Sequence, residues 1–229
     1  MPKMGAEYFE KKRNEILDAA LAVCMKKPLH EVSMRDVIAE RGLSQGGIYR
    51  YYQNLDEVLI ELINRESVLY DTKELVNAVV SSGNAPEKVI GEILGVWGKA
   101  VLDNLVGVGK IYYEISISYV NDKKRLSNFI SKILFTSGES YLWTALFRFI
   151  TEKISEGYFS PKLPLEDIIY FHATSIDGIT RDLILHKHYQ IPMPFPGTLE
   201  KETLMNSYCI ALVLLLGGNE TMIFQENEQ

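Results

Sequence analysis

Gln45, Gly46, Tyr49, Arg50 and Tyr51 lie close together in the chain, and their types suit nucleic-acid recognition better than bond-making chemistry. Amide and guanidinium groups match the donor and acceptor edges of bases, while hydroxyls and backbone amides reach phosphates. To act together they need an element that points them outward, and the neighbouring residues specify one. Ser33 with Asp36 three residues on forms a helix-capping pair, and Met34, Val37 and Ile38 share one helical face. Gly42 is suited to the left-handed stop of that helix, and Leu43 plugs the core. Ser44 then caps a second helix whose buried stripe is Ile48 and Tyr52. Two short helices joined by a tight turn place the second in the DNA major groove.

The flanking residues extend the pattern. Ile16, Ala19 and Ala20 in a preceding helix, Ser33 to Ala39, Gly42-Leu-Ser, Gly47-Ile-Tyr-Arg-Tyr-Tyr and Asn54-Leu-Asp-Glu-Val-Leu follow in fixed order. Through them, residues 13–63 resemble the DNA-binding domain of the TetR family of bacterial transcriptional regulators. The resemblance implies a phosphate contact at Ser33, and backbone and base contacts at Ser44, Gln45 and Gly46. It implies an aromatic phosphate contact at Tyr49 and base-facing positions at Arg50 and Tyr51, with Arg50 suited to a bidentate contact with guanine. One position departs from the family: Leu55 stands where many members carry a phosphate-contacting lysine. Arg35, Lys11, Lys12 and Arg13 are the cations that can compensate.

A net charge of -6 is unusual for a DNA-binding chain, so its distribution matters. Residues 1–55 carry 9 Lys and Arg against 7 Asp and Glu, and residues 56–229 carry 15 against 23. The positive balance falls where DNA is expected, and the acidic remainder discourages nonspecific binding to polyanions. Cys24 and Cys209 sit in apolar stretches and read as buried reduced thiols, in keeping with a cytoplasmic protein. Residues 1–15 lack the apolar core of a signal peptide, and the apolar run Ile210 to Leu216 is too short to span a bilayer, so no membrane is expected.

The expected fold class is all-α. An N-terminal three-helix helix-turn-helix DNA-binding domain, residues 1–55, precedes a larger C-terminal helical ligand-binding and dimerisation domain, residues 56–229, for about nine helices in all. A fourth helix, capped by Asn54 and Glu57, is expected to run to about Val80 as the connector. Further helices are expected from Pro86 to Asn104, Ile111 to Val120, Asp122 to Gly157, Glu166 to His188 and Leu199 to Leu216, with a polar tail after Gly217.

Aromatic residues gather in the middle helices, either filling the core or lining a cavity. The resemblance places an effector pocket there. Trp97, Tyr112, Tyr113, Trp143, Phe147 and Phe171 are its candidate walls, and Glu114, His172 and Asp177 its polar anchors for a small, largely apolar or aromatic effector. Gly91, Gly95 and Gly98 either open room there or admit a neighbouring helix. The last two helices carry apolar residues on more than one face: Ile168, Ile169, Phe171, Ile176, Ile179, Leu183 and Leu185, then Tyr208, Ile210, Ala211, Leu212, Leu214 and Leu215. They are the expected homodimer interface, and twofold symmetry matches a palindromic operator.

No cofactor, metal site or catalytic function is expected. His172, Ser175 and Asp177 share one helix at a spacing poor for convergent catalysis. His186 and His188, two apart on a helix, diverge. The alternative to a regulator is a helical dimeric small-molecule sensor without specific DNA binding.

Overall fold

Buried residues Ile16, Leu17, Ala20, Val23 and Cys24 recur at helical spacing and form the inner face of the first helix. The computed structural model describes residues 5–42, 44–68, 72–133, 137–189 and 200–224. Among them are eleven α-helices: α1 Ala6–Lys26, α2 Met34–Glu40, α3 Gln45–Ile48, α4 Leu55–Val68, α5 Lys73–Val80, α6 Pro86–Val96, α7 Asp103–Ser118, α8 Lys123–Ile130, α9 Ser137–Ser155, α10 Leu165–Tyr189 and α11 Lys201–Leu215. Short 3₁₀ turns lie at Leu29–Glu31 and Glu220–Met222, and residues Trp97–Leu102 form a π-helical stretch between α6 and α7. The fold class is all-α, and no strand occurs among the described residues.

The contacts divide the chain into two units, the first made of Met1–Leu69 and Gly107–Phe135. Its core joins Ile16, Leu17 and Ala20 of α1 to Val37 of α2, Ile48 of α3, Leu59 and Leu62 of α4, Ile111 and Ile115 of α7, and Phe129 of α8. Two polar clamps supplement this packing. Lys110 Nζ donates to the carbonyls of Cys24 (2.8 Å) and Lys27 (3.3 Å) at the end of α1, and pairs with Glu114 Oε2 at 3.0 Å. The same carboxylate oxygen accepts from the Leu29 amide at 3.1 Å. At the other end of α7, Asp56 accepts from the Tyr119 hydroxyl (2.7 Å) and from Arg125 Nε (2.8 Å) and Nη2 (2.7 Å). Cations at the carbonyl end of α1 and buried charges held in pairs are both electrostatically favourable arrangements.

The second unit comprises Tyr70–Val106 and Thr136–Gln229. Val89, Ile90, Ile93 and Leu94 of α6 form its core with Leu142, Leu146 and Ile150 of α9, Ile168 and Ile176 of α10, and Leu212 and Val213 of α11. Residues 218–224, the described part of the segment after Gly217, do not form the polar tail expected there; residues 225–229 lie outside the described residues. Ile223 is buried, and an added Cβ at Gly91 would lie 2.9 Å from its Cγ2 and 3.6 Å from Cys209 Sγ. Gly91 therefore admits a close neighbour, whereas a Cβ at Gly95 would meet nothing within 4 Å. Buried Glu87 ties this end down by accepting from the Tyr158 hydroxyl and the Asn219 amide.

The described residues form eleven helices where about nine were expected. α4 ends at Val68 and α5 begins separately at Lys73, with Thr72 as its N-cap; residues 69–71 lie outside the described residues. The helix expected over Asp122–Gly157 is divided into α8 and α9. Conversely, Gly107 and Gly109 do not interrupt α7, because buried Val108, Ile111 and Ile115 outweigh a glycine cost of about 1 kcal/mol each. The proline-rich loop Ile191–Gly197 lies outside the described residues.

Candidate functional site

The helix-turn-helix is built by its caps. The Asp36 amide donates to Ser33 Oγ (3.4 Å), while Asp36 Oδ2 accepts from the Ser33 amide (2.8 Å) and hydroxyl (2.6 Å), a reciprocal capping box. Lys27 Nζ lies 2.9 Å from the same carboxylate, and with Ser33 it lowers the Asp36 carboxyl to about 2. Gly42 takes φ 61 and ends the first helix as the sequence requires. Ser44 Oγ accepts from the Gly47 amide at 3.1 Å. An added Cβ at Gly47 would lie 2.7 Å from that hydroxyl, so the glycine leaves room for the cap. In the sequence Gly47 counts only as part of the stretch that carries the resemblance; its place three residues after a capping serine is the signal for its role beside the cap.

The regular recognition helix is one turn long. It ends at Ile48, since two glycines weaken it, and the chain continues as a turn in which the Tyr51 and Tyr52 amides both donate to the Ile48 carbonyl. Ile48 and Tyr52 are buried as the stripe required. Ser33, Arg35, Ser44, Gly46, Tyr49 and Arg50 are exposed, and Tyr51 is half-buried against the core. The Gln45 side chain and Leu43 lie outside what the structure describes. Many cations of this unit are already paired: Arg13 with Glu61, Lys26 with Glu40, Lys27 with Asp36 and Arg65 with Asp18. Arg35 and Arg50 form no ion pair with a described residue, which leaves their guanidinium groups available to an external anion or base edge. Leu55, in the lysine's place, is half-buried against the core.

The candidate effector residues separate into two sets. Trp97, Trp143, Phe147, Phe171 and His172 belong to the second unit and form a connected cluster there. The Trp97 and Trp143 rings lie 5.6 Å apart, and the His172 ring sits edge-on to Trp143 at 4.5 Å and to Phe147 at 4.9 Å. His172 Nδ1 and the Tyr208 hydroxyl of α11 share a hydrogen bond, and Phe171 lies 6.2 Å from the Tyr208 ring. Burial lowers His172 to about 4 and raises the Tyr208 phenol, so both are neutral near pH 7. Tyr208 was read only as a dimer residue; its pairing with His172 had no sequence signal, because the two positions are on different helices.

Tyr112, Tyr113 and Glu114 fall in the first unit instead, where Tyr112 is exposed and Glu114 is engaged with Lys110 and the Leu29 amide. Asp177 is exposed on α10. Among the described residues there is no group of three His, Cys, Asp or Glu placed to hold a metal, and no helix long and apolar enough to cross a membrane.

A capped helix-turn-helix with exposed arginines, in a chain whose described residues otherwise form helices and turns, has the layout of a helix-turn-helix DNA-binding domain. Residues 16–62 match the family model described as bacterial regulatory proteins, tetR family. Over these residues the chain is similar to the TetR family of transcriptional regulators. A sequence relative, described as the uncharacterized HTH-type transcriptional regulator YfiR of Bacillus subtilis (strain 168), is 24% identical over 80% of this chain and 85% of its own length. The HTH-type transcriptional repressor KstR of Mycolicibacterium smegmatis is 28% identical over 44% of this chain and 49% of its own length. The crystal structure of the transcriptional regulator FadR from Bacillus subtilis in complex with stearoyl-CoA has the same fold, with a TM-score of 0.57 at 18% identity, over 90% of this chain and 98% of that one.

Proposed function

We propose that the protein is a homodimeric, ligand-responsive repressor that binds a palindromic operator and is released by a small, largely apolar or aromatic effector. DNA contacts come from residues 1–55, through Ser33, Arg35, Ser44, Gln45, Gly46, Tyr49, Arg50 and Tyr51. Effector and dimer contacts come from residues 56–229. The observation that carries this reading is the exposure of Tyr49, Arg35 and Arg50, with no ion pair between either arginine and a described residue, on an element whose own caps are satisfied. The protein acts in the cytoplasm, where the operator is, and no catalytic step is part of the reading.

The Trp97, Trp143, Phe147 and His172 cluster supports an effector that is mainly apolar, because its one titratable group is held neutral. The FadR complex with stearoyl-CoA, a ligand with a long hydrocarbon chain, agrees with that chemistry. Dimerisation through α10 and α11 is supported by the apolar side chains α10 leaves at the surface, with Ile169 and Phe171 exposed and Tyr170 70% exposed. An effector that favours the dimer form whose two reading heads no longer match successive major-groove sites lowers operator affinity.

The test is a gel shift at fixed salt with the upstream region of the protein's own gene, with and without long-chain acyl and aromatic compounds, alongside sedimentation of the free protein. Sequence-specific retardation by a dimer, relieved by one compound class, is expected. Salt-sensitive smearing on any duplex would instead support a sensor without specific DNA binding.

A further inference from the structure

Two large aromatic residues near the start of α1 have no role in the core. Tyr8 and Phe9 are 42% and 37% exposed, although the buried face of the same helix is filled from Ile16 onward. Phe9 is nonetheless not alone. Its ring lies 6.1 Å from that of Tyr51 at an interplanar angle of 55°, and Tyr8 stands edge-on to it at 6.1 Å and 86°. Lys12 Nζ is 6.0 Å from the Tyr8 ring centre and is salt-bridged to Glu15. The result is a surface cluster that reaches from the first helix to the turn immediately after the recognition helix.

Tyr51 lies beyond the regular end of α3 and is only partly buried against the core. An aromatic neighbour in tilted contact removes ring orientations that the turn itself would permit, and it does so at low entropic cost because both side chains have only two rotatable bonds.

We propose that Phe9 is a positioning residue for operator specificity: its ring holds the Tyr51 phenol in the orientation from which it reads DNA. This rests on the reading of Tyr51 as a DNA contact. Phe9 makes no DNA contact of its own, so its removal acts through Tyr51 and changes sequence preference rather than overall charge attraction. Lys12 and Glu15, already paired, keep the basic side of this cluster from dominating it.

The experiment compares wild type, Phe9→Ala, Phe9→Leu, Tyr51→Phe and the Phe9→Ala/Tyr51→Phe double variant on the operator and on duplexes changed one base pair at a time. Phe9→Ala is expected to lower the preference for the correct base roughly three- to tenfold, at the same base pairs that Tyr51→Phe affects. The double variant is expected to lose no more than the larger single effect, and Phe9→Leu to recover part of the loss. A second measurement needs no DNA. With 3-fluorotyrosine at position 51, the ¹⁹F signal is expected to move toward its unfolded-chain position and sharpen when Phe9 is replaced by Ala.

Equal weakening on all duplexes, additive losses in the double variant, or an unchanged ¹⁹F signal would each overturn the assignment. Failure of the underlying reading looks different. Wild type would then show no sequence preference at all, or Tyr51→Phe would change none, and either would remove Phe9's proposed role with it.

Discussion

Replacing Lys110 by Ala tests the energetics of the first unit most sharply. The ammonium is buried and serves three acceptors at once: the Cys24 and Lys27 carbonyls at the end of α1 and the Glu114 carboxylate. Its loss leaves a buried carboxylate without its counter-charge and two helix-end carbonyls without this donor, and breaking such a pair from one side costs about 3–5 kcal/mol. For a chain of this size that corresponds to a fall of roughly 10 °C in Tm. Glu114→Gln alone is expected to cost less, because the amide can still accept from the Leu29 amide. The double variant Lys110→Met/Glu114→Gln removes both charges and is expected to be more stable than Lys110→Ala by at least about 1 kcal/mol. Urea unfolding followed by far-ultraviolet circular dichroism reads all four proteins. If Lys110→Ala shifts stability by less than about 1 kcal/mol, or if the charge-free double variant is the least stable of the set, the buried clamp does not hold α7 to α1 as described.

Other consequences follow from local geometry. Gly217→Ala is expected to cost at least about 1–2 kcal/mol in the same denaturation assay, because φ is 77 and the new Cβ would lie 2.4 Å from the Ser160 carbonyl oxygen. Cys24 and Cys209, whose thiols burial pushes up to about 12, are expected to stay unreactive toward a maleimide in the native protein, with both labelled after unfolding. Burial also depresses His172 from 6.5 to about 4. The unfolded chain therefore takes up a proton at a pH where the folded chain does not, so stability is full above pH 6.5 and declines as pH falls toward 4. A urea titration across that window is expected to lose up to about 3 kcal/mol more in wild type than in His172→Phe.

The reading head was legible because its information is local. Ser33, Asp36, Gly42 and Ser44 act on residues three or four positions away, and the structure places their caps and the Gly42 turn where the spacing puts them. The length of the recognition helix was less so, since Gly46 and Gly47 shorten regular helix in a way that the Ile48 and Tyr52 stripe does not reveal. Long-range partnerships left no trace in the sequence. Nothing in the spacing of Lys110 and Glu114 indicates that they close on the end of α1, and Glu114 was accordingly read as an effector anchor. Likewise Met222, Ile223 and Phe224 make only a three-residue apolar run among polar residues, so a tail was expected where a turn packs Ile223 against Gly91. The aromatic cluster was legible only as composition. Its division between two units depends on where α7 packs, and single-sequence periodicity carries no information about that.

In the proposed function the exposed side of the capped helix pair reads base sequence, with Arg50 as the main reader. Quantitative binding at one salt concentration, for wild type and Arg50→Ala on the operator and on every single-base-pair variant of it, tests that claim directly. Arg50→Ala is expected to lose about 1–3 kcal/mol on the operator while becoming indifferent at one base pair per half-site, and Tyr49→Phe to weaken every duplex alike. Equal losses for Arg50→Ala on the operator and on a scrambled duplex would contradict it.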